Sequence, residues 1–303
     1  MRPTAWIILA SCFANLNPSF SQNKDLVALE KGIRTQISQQ TAVYGIALFL
    51  PNGQELLINA QEQMHAASTM KVPVMMRLFE MVDQGTLTLR TQVTIENEFK
   101  SIVDGSTYSI TVDSEEALYK RIGSKATIEE LVVAMITKSS NLATNLLIEL
   151  ADTEKIMTLM RQLDAGNMLV LRGVEDLKAF EAGKNNLTSA EAMLKATMAA
   201  IGSTKFSESS RAKMLEILRN QHFNDMIPAG IPASAGAKIA HKTGSISRVQ
   251  HDVAIIDLPG GIRYGLAILA RDFGDEREKV KQTAAAISHL VYQAALSQKE
   301  VDP

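Results

Sequence analysis

Apolar side chains fall at helical spacing between Asp25 and Gln40, where Leu26, Leu29, Ile33 and Ile37 share a face, and the stretch that follows, Tyr44 to Pro51, is continuously apolar and β-prone. The pattern predicts a helix and then a strand. Pro51-Asn52-Gly53 is a strong turn signal, so Glu55 to Ala60 is expected to return as the second strand of a hairpin. From about His65 to Lys205 the character changes: Met, Leu and Ala recur at helical spacing with few β-branched runs, which predicts mostly helix. Within it, Thr127-Ile-Glu-Glu130 and Thr188-Ser-Ala-Glu191 have the spacing of capping boxes ahead of apolar periodic segments. Strand character returns at Ala237 to Thr243, Val249 to Leu258 and Ile262 to Ala270, with Pro259-Gly260-Gly261 as the turn between the last two. An amphipathic helix from about Glu276 to Leu296 closes the chain.

The order is helix, two strands, many helices, three strands, helix. The simplest packing is an α/β (α+β) two-domain fold: an antiparallel sheet drawn from both ends of the chain and flanked by helices, with an all-helical unit inserted between them. The expected division is an α/β domain from 22–63 and 206–303 and a helical domain from 64–205. Residues 1–21 read as a secretory signal, with Arg2 before an apolar core from Ala5 to Ala14 and small residues at Ser19 and Ser21 before the cleavage site. A rival processing site, Leu9-Ala10-Ser11-Cys12, resembles a lipoprotein lipobox that would leave Cys12 lipidated. Either implies a periplasmic or secreted protein. Cys12 is the only cysteine, so a mature chain starting after Ser21 has neither disulfide nor thiol. No other stretch approaches the roughly 20 apolar residues of a membrane span.

Composition narrows the partners. The chain has 303 residues, 46% of them hydrophobic and 21% charged, and its 31 Lys plus Arg against 33 Asp plus Glu leave a formal charge of -2. That composition excludes disorder and gives no electrostatic reason for a nucleic-acid or anionic-membrane partner. A small-molecule substrate and a monomer are expected. The five histidines, at 65, 222, 241, 251 and 289, show no H-x-H or H-E-x-x-H spacing, and no cofactor is called for. There is also no G-x-S-x-G elbow, P-loop or dinucleotide fingerprint.

The chemistry starts at Ser68-Thr69-Met70-Lys71. Positions i and i+3 of a helix share a face, so the Ser68 hydroxyl and the Lys71 amine can meet, and a serine is a poor nucleophile until a base takes its proton. S-x-x-K alone is weak, since Ser21 to Lys24 and Ser210 to Lys213 match it too. Pro73, tolerated only near a helix start, places Ser68 at a helix N-terminus, where the dipole favours an oxyanion. Ser139-Ser140-Asn141 follows at a break between two helical segments, and Lys242-Thr243-Gly244 lies in a strand that runs to Ser245. Alone, the triplet is a loop and the lysine an edge-strand cation that discourages aggregation.

Together and in this order, the three resemble the signature of class A serine β-lactamases and penicillin-binding proteins. The resemblance covers nearly all of the mature chain and implies a site in the cleft between an α/β and a helical domain. It implies that Ser68 attacks the lactam carbonyl and Lys71 helps remove its proton. Ser139 would relay a proton to the leaving nitrogen, and Asn141 would hold the substrate side-chain amide. Lys242 and Thr243, with Gly244 beside them, would bind the substrate carboxylate, and the amides of Ser68 and Ser245 would form the oxyanion hole. Two ammonium groups in one cleft repel, so Lys242 should push Lys71 toward its neutral form.

Departures from the pattern bear on turnover. The R-x-E-x-x-L-N loop that carries the deacylating glutamate in the family reads Arg172-Gly-Val-Glu-Asp-Leu-Lys178 here, one residue longer between Arg and Glu. Glu175 is the candidate base, with Asp176 and Glu181 behind it; a solvated acidic loop is the alternative. Asn145 matches a position that braces this loop in the family. Ser140 stands where the family usually has aspartate. The usual carboxylate-binding arginine is missing from the strand after Lys242-Thr-Gly, where register offers His251, with Arg248 three residues earlier. A hydrolase that turns β-lactams over is the first expectation. A D-alanyl-D-alanine carboxypeptidase or other serine acyl-hydrolase with slow deacylation is the second, and a catalytically silent cell-wall or peptide-binding protein the third.

Overall fold

The computed structural model describes residues 19–297. Residues 1–18, which hold Cys12 and most of the expected secretory signal, lie outside them. Nine helices and one principal sheet organise the described chain. Helix α1 (Ser19–Ile37) leads into the hairpin of β1 (Val43–Phe49) and β2 (Glu55–Ile58). The helical run holds α2 (Lys71–Asp83), α3 (Ile128–Thr137), α4 (Asn141–Ala151), α5 (Thr153–Gln162), the short α6 (Leu177–Glu181), α7 (Ala190–Gly202) and α8 (Glu208–Arg219). Strands β3 (Lys238–Ile246), β4 (Val249–Leu258) and β5 (Ile262–Arg271) follow, and α9 (Arg277–Ser297) closes the fold.

The five strands form an antiparallel sheet ordered β2-β1-β5-β4-β3, so the N-terminal hairpin joins the C-terminal meander through β1 and β5, in register from Val43 opposite Arg271 to Phe49 opposite Gly265. Period-two alternation divides each strand between two cores. Tyr44, Ile46 and Leu48 of β1 and Tyr264, Leu266 and Ile268 of β5 pack with Ile33 of α1 and Val280, Ile287 and Val291 of α9. The opposite face is made of smaller residues, Ala47, Val253 and Ala267 among them, and meets the helical unit, whose own core runs through Met75, Leu78 and Phe79 of α2, Leu131 and Met135 of α3 and Leu147 of α4. Small residues are needed there because α7 sits close: a Cβ on Gly265 would come within 2.9 Å of Leu194 Cδ1 and Met198 Sδ.

Local signals explain the helix starts. Glu130 N donates to Thr127 Oγ1 at 3.1 Å and Thr127 N to Glu130 Oε2 at 2.9 Å, a complete capping box for α3. At α7 the cap moves one residue along. Thr188 is held in a two-residue strand pair, Met64–His65 with Leu187–Thr188, so Ser189 takes the cap position and accepts from Ala192 N, while Glu191 binds Lys195. Among the described residues, no helix is long and apolar enough to cross a membrane.

Candidate active site

Ser68 lies in a single 3-10 turn, Ala67–Met70, that runs straight into α2. Ala67 enters it at φ +46°, unfavourable for a residue with a Cβ, and the surroundings hold it there. Ala67 N donates to His65 Nδ1 at 3.0 Å, and Thr69 Oγ1 donates to Ala66 O at 2.6 Å. Half-buried, Ser68 faces a cleft of about 370 Å³ that is also lined by Ser139, Asn141, Thr243 and Ser245. Its hydroxyl makes no hydrogen bond to a described residue, leaving it free for a substrate.

Lys71, one turn on, is fully buried. Its Nζ donates to Ser139 O at 2.6 Å and to Asn141 Oδ1 at 2.9 Å, with Ser139 Oγ at 3.4 Å. Desolvation, and then the nearby Lys242 cation, hold its pKa well below the usual lysine value, while Asp113 opposes the shift. The lowered pKa eases loss of a proton, and a neutral amine here would keep two N–H donors for the two short contacts and gain a lone pair able to accept a proton. Ser139 itself sits at φ +60°, in the break between α3 and α4.

The third motif arrives on β3. Lys242 is also fully buried, and its Nζ donates to Ser139 Oγ at 3.1 Å and to Thr243 O at 2.8 Å. The Ser139 hydroxyl is therefore bracketed by two amines. Burial lowers the Lys242 pKa to about 7, with the Asp252 charge acting against it. Gly244 lets the strand press against the Ser68 turn: a Cβ there would stand 3.0 Å from Thr69 Cγ2, 3.1 Å from Thr69 N and 3.2 Å from Ala66 O.

The three motifs thus share one cleft, on a fold whose family can be read independently. The profile of the "Beta-lactamase enzyme family" matches residues 28–295. The chain belongs to that family. It is 25% identical to a β-lactamase of Phocaeicola vulgatus, over 95% of this chain and 91% of the relative, and 24% identical to one of Bacteroides uniformis, over 96% and 97%. Among solved structures, the protein named PBP-A superposes with a TM-score of 0.77 at 27% identity, over 90% of this chain and 97% of that one. A β-lactamase of Xanthomonas campestris superposes with a TM-score of 0.78 at 20% identity, over 89% and 98%, a likeness of fold.

For a β-lactamase-family chain, four placements stand out. Glu175 is not among the hydrogen-bond partners of Lys71. At φ +61°, its carboxylate accepts Thr111 N at 2.8 Å, Thr111 Oγ1 at 2.9 Å and Val112 N at 3.1 Å, and it is not among the residues lining the cleft. Asn145 does brace the loop, but at the neighbouring residue: Val174 N donates to its Oδ1 at 2.6 Å, and its Nδ2 donates to Val174 O at 2.9 Å. The extra residue thus puts a valine in the bracket and turns the half-buried glutamate onto Thr111 and Val112. Asp176 caps α6 and accepts from Ser101 Oγ and Ile102 N, while Glu181 ends that helix exposed to solvent.

The expectation for His251 is corrected. It does sit opposite Gly244, but its ring is fully buried: Nδ1 accepts from Ala270 N at 3.2 Å, so Nε2 carries the proton and donates to His65 O at 2.9 Å. Burial depresses its pKa to about 4, so it is a neutral brace behind the Ser68 turn and no carboxylate ligand. Arg248 is exposed in the β3–β4 hairpin at φ +56°, outside the cleft lining. The guanidinium that does line the cleft belongs to Arg277, the first residue of α9, which bonds Ser245 Oγ, Gln250 Oε1 at 2.8 Å and Ile246 O at 2.8 Å. Sequence reasoning missed it. It lies 32 residues from Ser245 with no motif around it, and only the packing of α9 beside β3 brings it in.

Proposed function

We propose that this protein is a serine hydrolase acting on β-lactams through an acyl-enzyme on Ser68. The observation that carries the reading is the pair of fully buried lysines that bracket the Ser139 hydroxyl beside an unbonded Ser68. The Ser68 Oγ–H proton passes to the neutral Lys71 amine as Oγ bonds to the lactam carbonyl carbon. The oxyanion that results is met by the amides of Ser68 and Ser245. The C–N bond then breaks, and the ring nitrogen takes a proton from Ser139, which is refilled from Lys71, leaving an ester on Ser68. Lys242, Thr243, Ser245 and Arg277 receive the substrate carboxylate, whose negative charge favours the protonated form of Lys242. Asn141 holds the side-chain amide of the substrate. Water then releases the acyl group. The secretory signal expected at residues 1–21 supports, within the same proposal, an activity outside the cytoplasm.

A second reading, a penicillin-binding acyl-hydrolase with a long-lived ester, is favoured by one feature: the Glu175 carboxylate is committed to Thr111 and Val112, while Val174 occupies the position bracketed by Asn145. Intact-mass analysis after exposure to penicillin G separates the possibilities. An adduct that clears supports turnover, an adduct that persists supports the second reading, and no adduct on fully folded protein overturns both.

A further inference from the structure

The Ser139–Asn141 turn combines a strained φ at Ser139 with two side chains that must point into the cleft, and the residues of the turn contribute no charge of their own to fix it. The charge comes from elsewhere. Asp113, in the loop after the two-residue strand Thr107–Tyr108, accepts Asn141 N at 2.9 Å through Oδ1, and Leu142 N at 2.9 Å and Ser140 Oγ at 3.1 Å through Oδ2. Tyr119 Oη donates to the same Oδ2 at 3.0 Å. The carboxylate therefore binds the first two amides of α4, where the helix dipole favours a negative charge. Next to it, Val112 O accepts Asn141 Nδ2 at 2.8 Å, which turns Asn141 Oδ1 toward Lys71 Nζ. The loop is in turn secured by the Glu175 carboxylate on Thr111 and Val112.

We propose that Asp113 is a positioning residue for the acylation step: its carboxylate, reaching in from a separate loop, holds the Ser139–Asn141 turn so that Ser139 and Asn141 stay on Lys71. Asp113 borders the cleft, but both of its carboxylate oxygens are engaged by the turn and Tyr119, so it acts through these two residues. Several charge-assisted bonds converge on one carboxylate, and each is stronger than a neutral counterpart. Ser140 Oγ, 3.1 Å from Asp113 Oδ2, marks a second place from which the same charge could be supplied, and Ser140 is already the N-cap of α4, a position that aspartate fills as well as serine.

The test compares wild type, the near-isosteric Asp113→Asn, and Asp113→Asn/Ser140→Asp. Acylation by a fluorescent penicillin is followed at subsaturating concentration, and amide hydrogen exchange across residues 139–143 is measured without ligand. Asp113→Asn is expected to slow acylation at least about tenfold and to raise exchange at Asn141 and Leu142 by a similar factor, the release of an acyl group already formed being unchanged. The double variant is expected to recover most of both losses. Unchanged exchange at Asn141 and Leu142 in Asp113→Asn overturns the proposal. So does a double variant that regains thermal stability but neither acylation nor exchange protection, since that outcome assigns Asp113 to general stability. The acylation arm rests on the function proposed above and the exchange arm does not: a wild type that forms no adduct defeats the proposed function, and the exchange results still decide the role of Asp113.

Discussion

Replacing Lys242 with methionine should make the protein more stable and nearly inactive. The fully buried amine has its pKa lowered from 10.5 to about 7, so holding it protonated in the fold costs on the order of 4 kcal/mol relative to the unfolded chain. Methionine is of similar length and is apolar. Its introduction removes the donor to Thr243 O at 2.8 Å and to Ser139 Oγ at 3.1 Å, a loss of about 1 kcal/mol each. A net gain of about 2 kcal/mol remains at pH 7, or roughly 5 °C in Tm for a chain of this size. The sign of the pH dependence follows. Below the folded pKa of about 7, both states of the wild type carry the proton and the full penalty applies. From there to 10.5 only the unfolded state binds it, so wild-type stability rises with pH across that window. Lys71, shifted in the same direction, stays in the variant, so the slope is reduced rather than abolished. Urea unfolding at pH 7 and pH 9.5, beside penicillin acylation, reads all three effects. A variant less stable than wild type at pH 7, or one with the wild-type pH slope, refutes the reasoning.

Gly244→Ala should slow acylation by about 10- to 100-fold, because the new methyl meets the backbone at Thr69 N and Ala66 O and must push β3 away from Ser68; stopped-flow acylation with wild-type rates disproves the close approach. Arg277→Ala should raise KM for carboxylate-bearing penicillins about tenfold or more with a smaller change in kcat, measured by steady-state or progress-curve kinetics. Glu175→Gln should leave release of the acyl group within about threefold of wild type while lowering Tm by a few degrees, through weaker bonds to Thr111 and Val112. A hundredfold loss of deacylation in that variant would restore Glu175 as the base.

The parts of the site that can be read from sequence are those carried by local spacing. Ser68 and Lys71 are one helical turn apart, the Ser139–Asn141 break lies between two apolar runs, and Lys242-Thr243-Gly244 interrupts a strand pattern, so each could be placed on its element before any coordinates. The sheet was legible for a similar reason: Pro51-Asn52-Gly53 and Pro259-Gly260-Gly261 mark its hairpins, and pairing of the chain ends follows from element order. What escaped depends on direction. Strand β4 is buried on both faces almost throughout, so hydrophobic alternation could not tell that His251 points away from the cleft and Gln250 toward it. One added residue after Arg172 exchanges Val174 for Glu175 in the grip of Asn145, a change in facing that no periodicity encodes. Asp113 and Arg277 come from a loop without periodicity and from a helix distant in sequence, and only tertiary packing shows what they bind.

The most direct measurement is the intact mass of wild type and Ser68→Ala after incubation with penicillin G, followed by peptide mapping of any adduct. The expected result is a single penicilloyl group on the peptide that contains Ser68, formed by the wild type and absent from the variant. An adduct that survives in Ser68→Ala, one that maps elsewhere, or none at all on folded wild-type protein would contradict the account.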